Sequence, residues 1–274
     1  MKIYAALVAI LLSSFLVRAQ ESVPFNTSRP GQAFTPLTLG KSALQLQSGF
    51  RIAENWESFE GFNLPLFYFA TFSNSTTVRY GISDRVELRA DVDWSKDYQR
   101  LFEQRPTAFG SGFSRLSLGS RILVIKDDEQ SQYLSLQPRV DIPVNQGGLS
   151  GQPLPFQLLV AYSRPLFTKT TLTTNLAWGQ STQWGDGQVD YVLNFAFQIT
   201  DKLSCFAEHY GTFVENELLL SWDGGLAIML GSDLQLDLSA GFGKVSSPVI
   251  LEMHQWFVDT GVSWRIFDGV SKRN

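Results

Sequence analysis

The sequence predicts an all-β protein, a transmembrane antiparallel up-and-down β-barrel of about 12 strands. Apolar and polar residues alternate along most of the chain, which is typical of strands whose two faces meet different surroundings. Short and long connections alternate between these strands, as they do in outer-membrane barrels. An export signal precedes the strands, and no later stretch is apolar over the length that a transmembrane helix needs.

Composition narrows the class of protein further. The chain has 274 residues, of which 44% are hydrophobic and 18% are charged. These fractions exclude an intrinsically disordered chain and a coiled coil. The formal net charge is -4 and no basic patch stands out, so nucleic acid is not an expected partner. The mean hydropathy of -0.03 is compatible with two kinds of exported protein. One is a soluble protein, and the other is a membrane barrel whose apolar residues are hidden by alternation.

The beginning of the chain reads as a signal peptide over residues 1–19. Lys2 supplies the positive start, an apolar run follows, and Val17-Arg18-Ala19 fits a small-residue cleavage pattern. Cleavage near Ala19 and localisation in the bacterial outer membrane follow from this interpretation; the alternative is a membrane anchor. Residues 20–41 form an N-terminal segment, which we expect to be either a plug within the barrel or a periplasmic tail. The barrel then spans 42–267, and 268–274 form a C-terminal tail.

The strands are assigned from period-two alternation. From Arg85 to Trp94 the even positions are apolar and the odd positions are charged. From Leu234 to Gly243 the even positions are apolar, and the odd ones are polar or glycine. The predicted strands span 42–53, 66–81, 86–94, 113–125, 132–142, 155–163, 170–179, 189–199, 203–213, 218–229, 233–243 and 254–266.

Connections of two lengths separate these strands. The predicted tight turns are Gly81–Arg85, Lys126–Glu129, Arg164–Phe167, Thr200–Lys202 and Gly231–Asp233. The longer polar stretches are 54–65, 95–112, 143–154, 180–188, 214–217 and 244–253. Short turns are typical of the periplasmic end of such barrels, and an even strand number places both termini there. A soluble β-sandwich also alternates, but here nearly every strand carries an apolar face and the polar faces carry both signs of charge.

Several short motifs occur along the chain, namely Arg29-Pro30-Gly31, Phe34-Thr35-Pro36, Leu39-Gly40-Lys41, Leu44–Phe50, Val78–Arg89, Leu116–Gly119, Phe206–Gly211, Asp223–Gly225, Leu234–Gly243, Trp256–Val258 and Gly261–Arg265. Together these stretches resemble a family of outer-membrane transporters associated with the meta-pathway of phenol degradation. The resemblance covers nearly all of the chain after the signal peptide, and it implies a barrel and a transport role. Gln47 stands where the family tends to carry an acid, and Arg115 where it tends to carry an aspartate, which implies a less acidic lumen.

The polar faces supply the candidate functional residues, which we expect to face the lumen and set solute selectivity. The alternative is that their ion pairs and hydrogen bonds fill and rigidify a narrow barrel. These residues are Glu87, Arg89, Asp91, Asp93, Arg115, Arg121, Arg139, Asp141, Asp190, Glu208, Asp223, Asp237, Asp259 and Arg265.

Catalytic and metal-binding arrangements are not predicted. Only His209 and His254 could serve as a base for a nucleophile, and neither has a serine at suitable spacing on its strand face. Two distant histidines and one cysteine are too few for a zinc site. We therefore predict no enzyme activity and no cofactor.

The sequence predicts a channel or transporter for passive movement of small solutes, hydrophobic or aromatic ones included, across the outer membrane. The expected partners are outer-membrane lipid, lipopolysaccharide and the barrel-insertion machinery, which reads the last strand. Two alternatives stay open at this point. One is a non-conducting structural or adhesion barrel that binds partners through its loops, and the other is a soluble secreted β-carrier.

Overall fold

The computed structural model describes residues 25–59, 67–101, 106–142, 154–180, 187–214, 217–246 and 251–268. The predicted signal peptide and its cleavage site lie outside the described residues, and so do nearly all of the 143–154 loop and of the C-terminal tail. Within the described residues, no helix is both long enough and apolar enough to cross a membrane.

Twelve antiparallel strands form one closed barrel, in which each strand pairs with its neighbours in the sequence and β1 pairs with β12. This confirms the predicted fold class and strand number. The strands are β1 (Ala43–Phe59), β2 (Phe67–Gly81), β3 (Val86–Leu101), β4 (Thr107–Asp127), β5 (Gln132–Ile142), β6 (Phe156–Phe167), β7 (Thr170–Gln180), β8 (Gly187–Gln198), β9 (Leu203–Val214), β10 (Glu217–Met229), β11 (Leu234–Ser246) and β12 (Leu251–Asp268).

The two faces of the barrel wall differ in polarity as the alternation predicts. Large apolar side chains such as Phe50, Leu118 and Trp222 are exposed on the outer face. The fully buried side chains are instead mostly polar, Arg79 and Glu87 among them, and they point inward. A surface that is apolar outside and polar inside suits a barrel surrounded by lipid, because the lumen then holds the groups that need water or ion pairs.

Several strands are longer than the alternation indicated. β3 continues to Leu101 and β4 begins at Thr107, so most of the predicted 95–112 loop is a strand hairpin with bulges at Asp93/Trp94 and Asp97/Tyr98. The predicted tight turn at Arg164–Phe167 is also wrong, because β6 includes these residues and the register shifts between Pro165 and Phe167. Strand pairing needs only backbone hydrogen bonds, so it continues where the alternation of side chains stops.

Residues 25–41 precede β1 and lie inside the barrel, where they form hydrogen bonds with inward-facing side chains of many strands. We call these residues the plug. Gly40 and Gly31 have φ values of 85° and 90° in the plug, a left-handed backbone that favours glycine.

Candidate functional site: the plugged lumen

The structure places all fourteen candidate residues at inward-facing positions of the barrel wall. Three arginines pair with aspartates close to them on this face. Arg89 Nη2 lies 2.7 Å from Asp91 Oδ1, Arg115 Nη2 lies 2.6 Å from Asp93 Oδ2, and Arg139 Nε lies 3.3 Å from Asp141 Oδ1. The position of these residues was predictable from period two, but their role in selectivity stays a prediction.

Glu87 is the centre of a buried charge cluster at the wall of β2–β4. Its carboxylate lies 2.7 Å from Arg79 Nε and 3.0 Å from Arg121 Nη1. All three side chains are excluded from solvent, so each charge depends on its neighbours for compensation. Arg79 was not among the predicted residues, because the second strand carries apolar residues on both faces near its start and its phase was ambiguous.

This cluster binds the plug directly. Arg79 Nη1 donates to the Asn26 carbonyl at 3.0 Å, and Arg121 Nη1 donates to the Leu37 carbonyl at 3.0 Å. Glu87 Oε2 in turn accepts the Leu39 N–H at 3.0 Å. The carboxylate therefore compensates two arginines and one backbone donor, and the arginines satisfy carbonyl groups of the plug that strand pairing leaves free.

The opposite wall also binds the backbone of the plug. Glu208 on β9 accepts the N–H groups of Gln32 at 2.6 Å and Ala33 at 3.1 Å. Asn175 on β7 accepts the Phe34 N–H at 2.7 Å and donates to the Phe34 carbonyl at 2.9 Å. An asparagine that bonds both groups of one residue replaces the partner that a neighbouring strand would supply.

Arg29 connects the plug to β11 and β12. Its Nη2 lies 2.9 Å from Asp237 Oδ1, and the same nitrogen also binds Asp259. The guanidinium fits because Gly49 and Gly261, which pair across β1 and β12, leave space that a Cβ at either position would fill. Burial alone lowers the pKa of a guanidinium, but attraction to the two carboxylates outweighs it and raises the pKa of Arg29.

Two of the cavities within the described part of the barrel border Arg29. The larger cavity has a volume of about 290 Å³, and the smaller one has about 180 Å³. Ser28 and Arg29 line both cavities. The larger cavity is lined by five arginines and three aspartates, together with mostly small polar side chains, and Arg115 and Gln47 are among its residues. Ser28 and Arg29 of the plug therefore form part of the wall between the two cavities.

The geometry agrees with what comparison with solved structures shows. An outer membrane channel from Pseudomonas putida F1 superposes with a TM-score of 0.60 at 11% sequence identity, over 87% of this chain and 99% of that chain. The chain has the fold of an outer-membrane channel. The Pseudomonas putida toluene transporter TodX has a TM-score of 0.48 at 7% identity, covering 88% of this chain and 99% of that one. The KdgM porin has a TM-score of 0.48 at 7% identity, covering 80% and 99%.

Comparison by sequence gives no relative: no protein family model and no curated protein matches this chain. The predicted resemblance to an outer-membrane transporter family is therefore supported only by the structural comparison, at the level of the fold. Its link with phenol degradation stays a prediction.

The two histidines lie on the outer face of the barrel. His209 contacts Tyr191 and Trp222, with 4.1 Å between the centres of the His209 and Trp222 rings. His254 stacks on Trp56 at 5.4 Å. Among the described residues, no group of three or more histidine, cysteine or acidic side chains could hold a metal ion.

Proposed function

We propose that the protein is an outer-membrane channel for passive movement of small solutes, and that the plug controls the width of the path. The observation that carries this proposal is the polar cavity of about 290 Å³ beside the plug inside a closed barrel. A lumen that served only to stabilise the barrel has no need of such a cavity, because side chains can fill a narrow barrel completely.

The lining of the larger cavity favours polar solutes over hydrophobic ones. Arginines outnumber aspartates among its residues, and Arg115 is 40% exposed although it binds Asp93. Guanidinium groups that retain access to the path favour small anions. The passage of hydrophobic or aromatic compounds stays a prediction from the sequence.

A non-conducting structural or adhesion barrel is the second candidate. The observation that favours it is the extent to which the plug binds both walls of the barrel, at Glu87, Glu208 and Asn175. Under this proposal the contacts fix the barrel permanently, and its loops outside the membrane bind the partner.

Planar-bilayer conductance of the refolded protein distinguishes the two candidates. A gel-mobility test of heat modifiability first establishes that the barrel is folded. Conductance steps from the full-length protein, together with swelling of liposomes in small-solute solutions, support the channel. If neither the full-length protein nor a variant lacking residues 25–41 conducts, the structural barrel is the better conclusion.

Localisation in the outer membrane is part of this proposal, and so are contacts with outer-membrane lipid and the barrel-insertion machinery. Its support is the apolar outer face together with the predicted export signal. Fractionation of cells that express the full chain tests the localisation directly.

A further inference from the structure

The outer face of β3 changes in polarity along its length. Val86, Leu88, Val92 and Trp94 face outward in its first part, and Lys96 and Arg100 take the same outward face further along. Asp97 lies between these two cations in the sequence and faces the inside of the barrel, where it accepts a hydrogen bond from Thr71 at 2.8 Å. Two cations therefore follow directly on an apolar stripe that faces lipid.

The height of these cations above the periplasmic end matches the edge of the membrane. Strands rise about 3.3 Å per residue and tilt about 40° in such barrels. Lys96 is ten residues after Val86 in the sequence, which places it about 25 Å above the periplasmic end, the height of the apolar band. Arg100 lies about 10 Å higher on the same reasoning. Lys96 thus lies at the level of the outer headgroups and Arg100 lies just beyond it.

Aromatic side chains lie beside the two cations and along the neighbouring strands. Register places His254, Trp56, Tyr68 and Arg100 in one row across four neighbouring strands. The Arg100 guanidinium lies 4.6 Å from the centre of the Tyr68 ring, and Trp56 and His254 stack on each other. One row is thus built from aromatic rings and a cation, the composition that membrane–water interfaces favour.

Among the described residues, each cation of this surface lies close to an aromatic ring. Lys96 Nζ lies 5.2 Å from the centre of the Tyr98 ring. Arg100 Nε has no hydrogen-bond partner among the described residues. Glu54 lies on the same outer face close to Tyr68, so two cations and one carboxylate face outward among the described side chains of this surface. Such a surface suits an anionic headgroup that approaches from the membrane.

We propose that this surface, formed by Lys96, Arg100, Tyr68 and Tyr98, binds a phosphate group of lipopolysaccharide in the outer leaflet. The proposal rests on the proposed outer-membrane location, but not on whether the lumen conducts. Lipopolysaccharide is the partner that the position indicates, because it supplies phosphorylated sugars at the height of Lys96 and Arg100.

The test is native mass spectrometry of the full-length protein in detergent, titrated with lipopolysaccharide of the short-chain rough type. The double variant Lys96→Gln/Arg100→Gln removes both charges. We expect its apparent affinity to fall about 30-fold, which is the effect expected from two basic residues at an anionic membrane surface. The matched control, Arg85→Gln/Lys202→Gln, removes two exposed cations at the opposite rim and leaves the affinity unchanged.

A second arm identifies the chemical group that is bound. In this arm the unmodified protein is titrated with lipopolysaccharide from which the phosphates have been removed. We expect this binding to be as weak as that of intact lipopolysaccharide to the double variant. Equal binding of the dephosphorylated form, full affinity in the double variant, or an equal loss in the control would each overturn the proposal. The double variant keeps its heat modifiability and its bilayer conductance, which separates this result from failure of the channel proposal.

Discussion

Arg29 and Asp237 are 208 positions apart in the sequence, yet Arg29 Nη2 lies 2.9 Å from Asp237 Oδ1 within the barrel. The contact joins a segment that belongs to no strand with the wall of β11. It also fills the space between the two cavities. If the barrel is the channel that we propose, the ion pairs of Arg29 connect the position of the plug with the continuity of the path.

Arg29→Ala should therefore open the path. Without the guanidinium, buried Asp237 loses its ion-pair partner and Asp259 keeps only Arg51 while the plug is in place, but both carboxylates gain water when the plug moves. Loss of one partner of a buried ion pair costs about 3–5 kcal/mol, enough to change an open population more than about 100-fold. Single-channel conductance should rise in Arg29→Ala, and it should stay unchanged in Lys41→Ala, where the side chain is exposed at the end of the plug.

Unchanged conductance in a heat-modifiable Arg29→Ala barrel would show that other contacts hold the plug. The hydrogen bonds of Asn175 and Glu208 to the plug backbone would then be the next to remove.

Gly261→Ala should act on the same contact from the wall. A Cβ at this position would occupy the space of the Arg29 guanidinium. Inserting a methyl group into a packed interior costs about 1–3 kcal/mol, and here the plug can relieve the strain by moving. We expect higher conductance than in the unmodified protein, although less than in Arg29→Ala. The matched control is Gly110→Ala, where a Cβ would lie at an ordinary 3.5 Å from Asp97 Oδ2.

The contrast between barrel and plug shows what the sequence could predict. The strands were predictable because lipid on one side and polar groups on the other impose period two on each of them. The plug has no such period, and its partners recognise backbone groups: Glu208 binds two N–H groups and Asn175 binds both polar groups of Phe34. Because every residue carries these groups, the residue types in 25–41 could not distinguish a plug from a tail.

Strand ends were harder to predict than strand centres for a related reason. Around Lys96 and Asp97 both faces of β3 are polar, so alternation no longer marks the strand although pairing with β2 and β4 continues. Arg79 was missed because of ambiguous phase. Its partner Glu87, across the β2–β3 turn, was identified from the sequence. A search for a positive charge opposite Glu87 across that turn could have found Arg79.

The charge cluster at Glu87 should dominate the stability of the barrel. Glu87→Gln keeps the size of the side chain but leaves Arg79 and Arg121, both buried, without their carboxylate. We expect a loss of about 3–5 kcal/mol of unfolding free energy. The measurement is the temperature at which the folded band disappears from a heat-modifiability gel.

Asp128→Asn is the control for that measurement, because its carboxylate is 67% exposed and its pair with Lys126 is 3.5 Å long. We expect a change below about 0.5 kcal/mol there. Equal transition temperatures for Glu87→Gln and the unmodified protein would mean that the plug carbonyls alone compensate the two arginines.

Arg115 should contribute to the ion selectivity of the path. Its side chain is 40% exposed, it lines the larger cavity, and its Nη2 lies 2.6 Å from Asp93 Oδ2. In Arg115→Gln the positive charge is lost and Asp93 is left facing the path, so the local potential becomes more negative. The reversal potential across a KCl gradient should move toward the equilibrium potential of K⁺. Arg85→Gln, in the exposed β2–β3 turn, should leave it unchanged. A shift toward anions, or an equal shift in both variants, would place the selectivity of the channel elsewhere in the lumen.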